Sequence, residues 1–198
     1  MIGKICLGSS VVERDAENVD VGSSILPPGI LINFMFLEIK KYPDPILRKK
    51  CQAVEKVDEE VKKLAEEMLR VMYANKGAGL AAPQVGVLKR IIVFDLGQGP
   101  EVYINPKILK KQGRMKSLEG CLSLPEVSLE IKRASKIRVE ALNKKGEKKI
   151  FKAEGLRAFV LQHETDHLNG ILILDRKNPF IRWRDLFLNL FRKKPRVP

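Results

Sequence analysis

The sequence predicts an α+β fold in which antiparallel sheets pack around one central helix, with a basic amphipathic helix at the C-terminus. Three observations lead there. The middle of the chain is strand-rich: RIIVFDL, VYINPKIL, SKIRVEALN and KKIFKAE follow one another with few helical segments between them. Helical spacing lies on either side of that region, first after Asp58 and again after Gly155. The second of these helices carries both histidines of the chain, His163 and His167, inside HETDHLNG.

Taken in order, residues 1–34 hold two basic and four acidic residues, or −2, against +15 for the remainder, within a total of +13. Serine, glycine and proline are frequent there and no period is sustained, so the stretch reads as a non-native or disordered extension, with Met35 as the expected true start. It lacks the order of a secretory signal. The catalytic domain is expected over 35–177 and a basic tail over 178–198.

Asp58 is placed to cap a helix running to about Asn75, with Val61, Leu64, Met68 and Met72 on its buried side and Lys76–Gly77 ending it. SKIRVEALN and KKIFKAE, joined across a Lys-Lys-Gly turn, read as a hairpin. Gly155 and Gly170 bracket the next helix, where Leu156, Phe159, Val160, His163 and His167 recur at steps of three and four as one apolar stripe. ILILD then reads as a strand ended by Asp175. From Arg176 to Pro198, eight basic residues and one acidic are interleaved with Phe180, Ile181, Trp183, Leu186, Phe187, Leu190 and Phe191, the spacing of an amphipathic helix.

Composition narrows the class. A chain of 198 residues with 44% hydrophobic content suits a single domain. No apolar run is long enough to span a bilayer. Three cysteines at irregular spacing do not form a disulfide framework, so a reducing cytoplasm is the expected location.

The chemistry starts from H-E-x-x-H. Positions i and i+4 share one helix face, so two imidazoles can grip one divalent ion while Glu164 reaches water beside it. Catalytic sites of this kind use three protein ligands and leave the fourth position open. No glutamate or histidine follows His167, and Ile173 stands where H-E-x-x-H-x-x-G-x-x-H would need its third histidine. Asp175 and Asp185 remain possible ligands. Cys121 is the better candidate, in EGCLSLP, where a preceding glycine and a following proline restrict the backbone. Cys51 reads as structural. A third segment, GAGLAAPQVG from Gly77 to Gly86, brings small residues together with the amide of Gln84. It is neither a phosphate-binding loop nor a dinucleotide fingerprint.

In this order GAGLAAPQVG, EGCLSLP and HETDH resemble the motifs of the peptide deformylases, over roughly Met35 to Asp175 and including YPDPILRK. The resemblance implies removal of the formyl group from the N-terminal formylmethionine of new proteins. It implies Cys121, His163 and His167 as ligands of one divalent metal per chain, with Fe2+ favoured in vivo and Zn2+, Ni2+ or Co2+ as alternatives. It implies Glu164 as acid/base, and Gln84 with the backbone N–H of Leu122 as oxyanion donors. Leu156, Phe159 and Val160 are candidate pocket walls. Gly77 and Gly79 are candidates to pair with the substrate chain in strand fashion. The expected partners are N-formylmethionyl nascent peptides; the tail reads either as a helix docked on its own domain with a solvated basic side or as a contact to the ribosome near its exit tunnel. DNA is not expected, and a membrane surface ranks behind the ribosome. Two rivals remain: a zinc endopeptidase, which the missing downstream ligand opposes, and a nucleic-acid-binding protein with a structural metal, which lacks a fourth ligand.

Overall fold

The computed structural model describes residues 37–180 together with 183 and 184. The expected N-terminal extension and most of the expected C-terminal amphipathic helix lie outside the described residues. Helix α1 spans Glu59–Ala74. It starts where expected, because the Asp58 Oδ1 accepts the Val61 N–H at 3.0 Å and satisfies one of the orphan donors of the first turn. Val61, Met68 and Met72 are buried on its inner face, while Leu64 is only partly covered.

Five strands form one antiparallel sheet: β1 (Gly79–Ala81), β2 (Ile91–Phe94), β3 (Glu101–Gln112), β6 (Lys136–Leu142) and β7 (Lys148–Glu154), in that spatial order. Strand β2 explains why RIIVF is apolar throughout. Ile91 and Val93 join the cluster built on α1, and Ile92 and Phe94 join the cluster built on the second long helix, so both faces of the strand are covered. The β3–β6 register shifts between Ile104 and Lys107. Pro106 has no N–H to give the ladder, and Asn105 at φ +53 turns its side-chain amide to both backbone groups of Val54. The expected β6–β7 hairpin forms, paired from Lys136↔Glu154 to Leu142↔Lys148 and closed by the Asn143 side chain accepting the Lys145 and Glu147 N–H groups.

Strands β4 (Met115–Cys121) and β5 (Leu124–Arg133) form a separate two-stranded sheet, which the sequence reading did not anticipate. Their hairpin is EGCLSLP itself, with a register shift between Glu119 and Cys121 that re-aims the strand end.

Helix α2, Gly155–Leu168, runs through the centre and packs on β1, β2, β3, β6 and β7. Every residue from Ala158 to Leu168 is buried, so the helix is enclosed all round where a single apolar stripe was expected. Leu156 is a correction in the other direction: on the first turn, it is 41% exposed. The expected strand ILILD is also corrected. Ile173–Lys177 forms the short helix α3, because the Asp175 Oδ2 accepts the Leu172 N–H and caps a helical turn, while its carboxylate is pinned to buried Arg48 at 2.5 Å. Among the described residues no helix is long and apolar enough to cross a membrane.

Candidate active site

Three elements converge beside α2. The first is β1 with the 3₁₀ turn Ala82–Val85, buried throughout, which carries Gln84. The second is the end of β4, where Cys121 sits, and the third is the C-terminal half of α2 with His163, Glu164 and His167. All five side chains are at least 96% buried. The Cys121 Sγ lies 3.3 Å from the His167 Nε2, which lies 3.2 Å from the His163 Nε2, and one ligand atom from each of the three residues falls within 4.8 Å of the others. The i, i+4 spacing thus puts both imidazoles on one side of α2, and the hairpin brings the Cys121 sulfur to them.

The donor set fits a single cation. Burial opposes charge on both imidazoles. In His163, hydrogen bonds to Cys121 and Glu119 overcome that opposition and raise its pKa well above the ordinary value. His167, facing it, is lowered well below, by burial first and then by the His163 charge. One sulfur and two imidazole nitrogens, all buried and within 4.8 Å of one another, are a donor set of the kind that holds a divalent ion.

Around this cluster stand residues that the motif reading passed over. The Glu119 Oε2 meets the His163 Nδ1 at 2.9 Å, leaving Nε2 as the ring atom turned to the cluster, the usual way a ligating histidine is oriented. Arg133 grips the same carboxylate at 2.7 and 2.8 Å and reaches Asp166 at 2.5 Å. Arg176 binds Asp166 from the other side. Burial works against the ionised Glu119, but the hydrogen bonds from Arg133 and His163 outweigh it and hold the carboxyl at about 2. Glu119 and Asp166 both lie inside quoted motifs, two residues before Cys121 and between the two histidines. That adjacency was their only local signal.

Glu164 differs from its acidic neighbours. Burial pushes its carboxyl up to about 7, partly offset by the His163 charge, and its Oε2 has no hydrogen-bond partner among the described residues. Gln84 is anchored at one end, its Oε1 accepting the Ala81 N–H at 2.8 Å. Its Nε2 is thereby turned to the Cys121 Sγ at 3.5 Å and the Ser123 Oγ at 3.2 Å. Gly77 faces Leu122, whose Cδ1 would stand 2.7 Å from a Cβ there, and Gly79 faces Glu164 and Val160. Phe159 and Val160 are buried one turn before the histidine pair. Cys51 packs in the core, where burial raises its thiol to about 11, as a structural cysteine should behave.

An HExxH helix with an upstream cysteine brought to it, set among antiparallel sheets, points to the class of metal-dependent hydrolases. Residues 36–183 match the polypeptide deformylase family model. The chain is 50% identical over 138 residues to peptide deformylase 1 of Clostridium acetobutylicum, covering 70% of this chain and 92% of that protein. It is 52% identical over 142 residues to the peptide deformylase of Dictyoglomus turgidum, covering 72% and 93%. The crystal structure of peptide deformylase from Thermotoga maritima superposes with a TM-score of 0.70 at 48% identity, covering 71% of this chain and 96% of that one. The chain belongs to the polypeptide deformylase family, and its activity is hydrolytic removal of the N-formyl group from nascent peptides.

Proposed function

We propose that Cys121, His163 and His167 hold the one metal ion of this deformylase and that Glu164 carries the proton of the reaction. The observation behind this is a buried convergence of three ligand atoms within 4.8 Å, next to a carboxylate with an unpartnered oxygen. When bound, a divalent ion supplies Lewis acidity and lowers the pKa of a water from 15.7 to about 7. Glu164 takes the proton of the attacking water on its carboxylate and delivers it to the departing amine nitrogen as the formyl C–N bond breaks. Formate and a free N-terminus leave. A carboxyl at about 7 suits both halves of that transfer near neutral pH.

The Gln84 Nε2, fixed in direction by the grip of Ala81 on Oε1, and the Leu122 N–H donate to the formyl oxygen as charge develops on it. Strand β1 stands at the end of the strand order, so an extended peptide can add as a strand beside Gly79, with Gly77 just before it. Val160 and Phe159 wall the methionine pocket, with Leu156 at its open end. The thiolate and imidazole ligands accept several metals; ferrous iron is the native ion in this reading, with zinc, nickel or cobalt able to replace it.

The test is formate release from a formyl-methionyl peptide. Wild type is expected to turn over, and Glu164→Ala to keep its metal while losing about 10²–10⁴ in rate. Full activity in Glu164→Ala, or metal retention in Cys121→Ala, would overturn the assignment. We further propose that the basic tail docks the enzyme on the ribosome in the cytoplasm. Removing residues 178–198 should abolish ribosome co-sedimentation, and an unchanged profile would refute the docking.

A further inference from the structure

A second concavity, of about 510 Å³, lies outside the catalytic cluster and shares no wall residue with Cys121, Gln84, His163, Glu164 or His167. Its wall includes Lys111, Arg114, Lys132, Arg133 and Arg176, with no aspartate or glutamate among the described residues that line it. Two turns form much of its rim, the β3–β4 turn at Gly113 and the β5–β6 turn at Ala134–Ser135. They are locked together: the Ser135 Oγ donates to the Gln112 carbonyl at 3.3 Å, and Gly113, at φ +66, approaches so closely that a Cβ would collide with that hydroxyl. The rim is preformed rather than a chance meeting of long side chains.

The charges divide into two groups. Arg133 and Arg176 are matched by Glu119 and Asp166 in the buried network described above. Lys111, Arg114 and Lys132 are exposed and form no ion pair with any described residue, which leaves three uncompensated cations around one cavity. Arg176, with its side chain 38% exposed, brings a guanidinium paired with Asp166 to the edge of the cavity. Guanidinium forks and ammonium groups around a half-open concavity match the oxygens of a tetrahedral phosphate dianion. The volume lies in the small-ligand range of roughly 300–1,000 Å³. No aromatic side chain lines the wall, so there is no stacking platform for single-stranded nucleic acid.

We propose that this cavity binds a small ligand carrying at least two phosphate groups. Fructose 1,6-bisphosphate is a suitable probe, titrated calorimetrically into the metal-loaded full-length chain at about 0.15 M salt, with unphosphorylated fructose as control. Saturable binding is expected for the bisphosphate alone, weakening as salt rises. The triple substitution Lys111→Gln, Arg114→Gln, Lys132→Gln should weaken it about tenfold or more while deformylation stays at the wild-type rate, which shows the variant is folded. Absence of saturable binding would overturn the proposal. So would equal affinity in the triple variant, which would put the anion on another basic surface. Preference for a short RNA duplex over the bisphosphate, lost in the same variant, would reject the small-ligand assignment in favour of a nucleic-acid contact.

Discussion

A methyl group on Gly79 would collide with the Glu164 Oε1 and press to 3.2 Å on the Val160 Cγ1, so a single hydrogen atom at this position holds the space for the carboxylate. Gly79→Ala is therefore expected to fold, because the collision falls on a side-chain end, yet to displace the Glu164 carboxylate. A misplacement near 1 Å costs about 10²-fold in rate. Kinetics on a formylated peptide with metal content measured in parallel checks this, and wild-type kcat in Gly79→Ala would show that Glu164 tolerates the shift. At this scale the sequence was informative about identity and silent about proximity. Gly79 was singled out for its backbone, and its closeness to Glu164, 85 positions on, comes from packing β1 against α2.

At the scale of elements, α2 is followed, two residues past its last, by a position that only glycine fits. Gly170 has φ +67, and a Cβ there would strike the backbone carbonyl of Arg48, which cannot swing away as a side chain can. Left-handed backbone at a non-glycine residue costs about 1–3 kcal/mol before any collision is counted. Gly170→Ala should therefore lower stability by at least about 2 kcal/mol in urea unfolding, and a loss under about 0.5 kcal/mol would show that the Arg48 segment yields. Local sequence made several elements legible: the Asp58 cap and the end of α1, the β6–β7 hairpin, and the bounds of α2 between its glycines. Each is settled by neighbours within a turn or a two-strand ribbon. ILILD misled because a four-residue apolar run carries too few positions for period to separate strand from helix, and the deciding contacts, Asp175 to the Leu172 N–H and to Arg48, are a cap and a long-range pair. The β4–β5 hairpin was not legible because its connection, Leu122–Ser123 between the paired Cys121 and Leu124, carries no Asn-Gly or Asp-Gly turn signal.

For the molecule as a whole, a buried ionic chain ties distant segments to the metal helix: His163 to Glu119, Glu119 to Arg133, Arg133 to Asp166, and Asp166 to Arg176 at the start of the tail. Breaking a buried pair leaves an uncompensated charge and typically costs about 3–5 kcal/mol. Asp166→Asn leaves Arg133 its two bonds to Glu119 and leaves half-exposed Arg176 open to water, so the loss should sit near about 3 kcal/mol in denaturant unfolding. Metal affinity should fall with it, because Glu119 loses a braced partner behind His163. Stability and metal affinity both at wild-type levels would show that the Arg133–Glu119 pair stands without Asp166.

The sequence by itself determined the two imidazoles on one helix face, the acid between them and the small-residue segment bearing Gln84, since these depend on spacing within single elements. Only the tertiary structure brings the Cys121 sulfur within 4.8 Å of both imidazole ligand atoms, sets Glu119 against the His163 Nδ1, and buries the Glu164 carboxyl so that its pKa is pushed up to about 7. Those properties arise from desolvation and from contacts between residues about 40 to 85 positions apart, which no local period encodes.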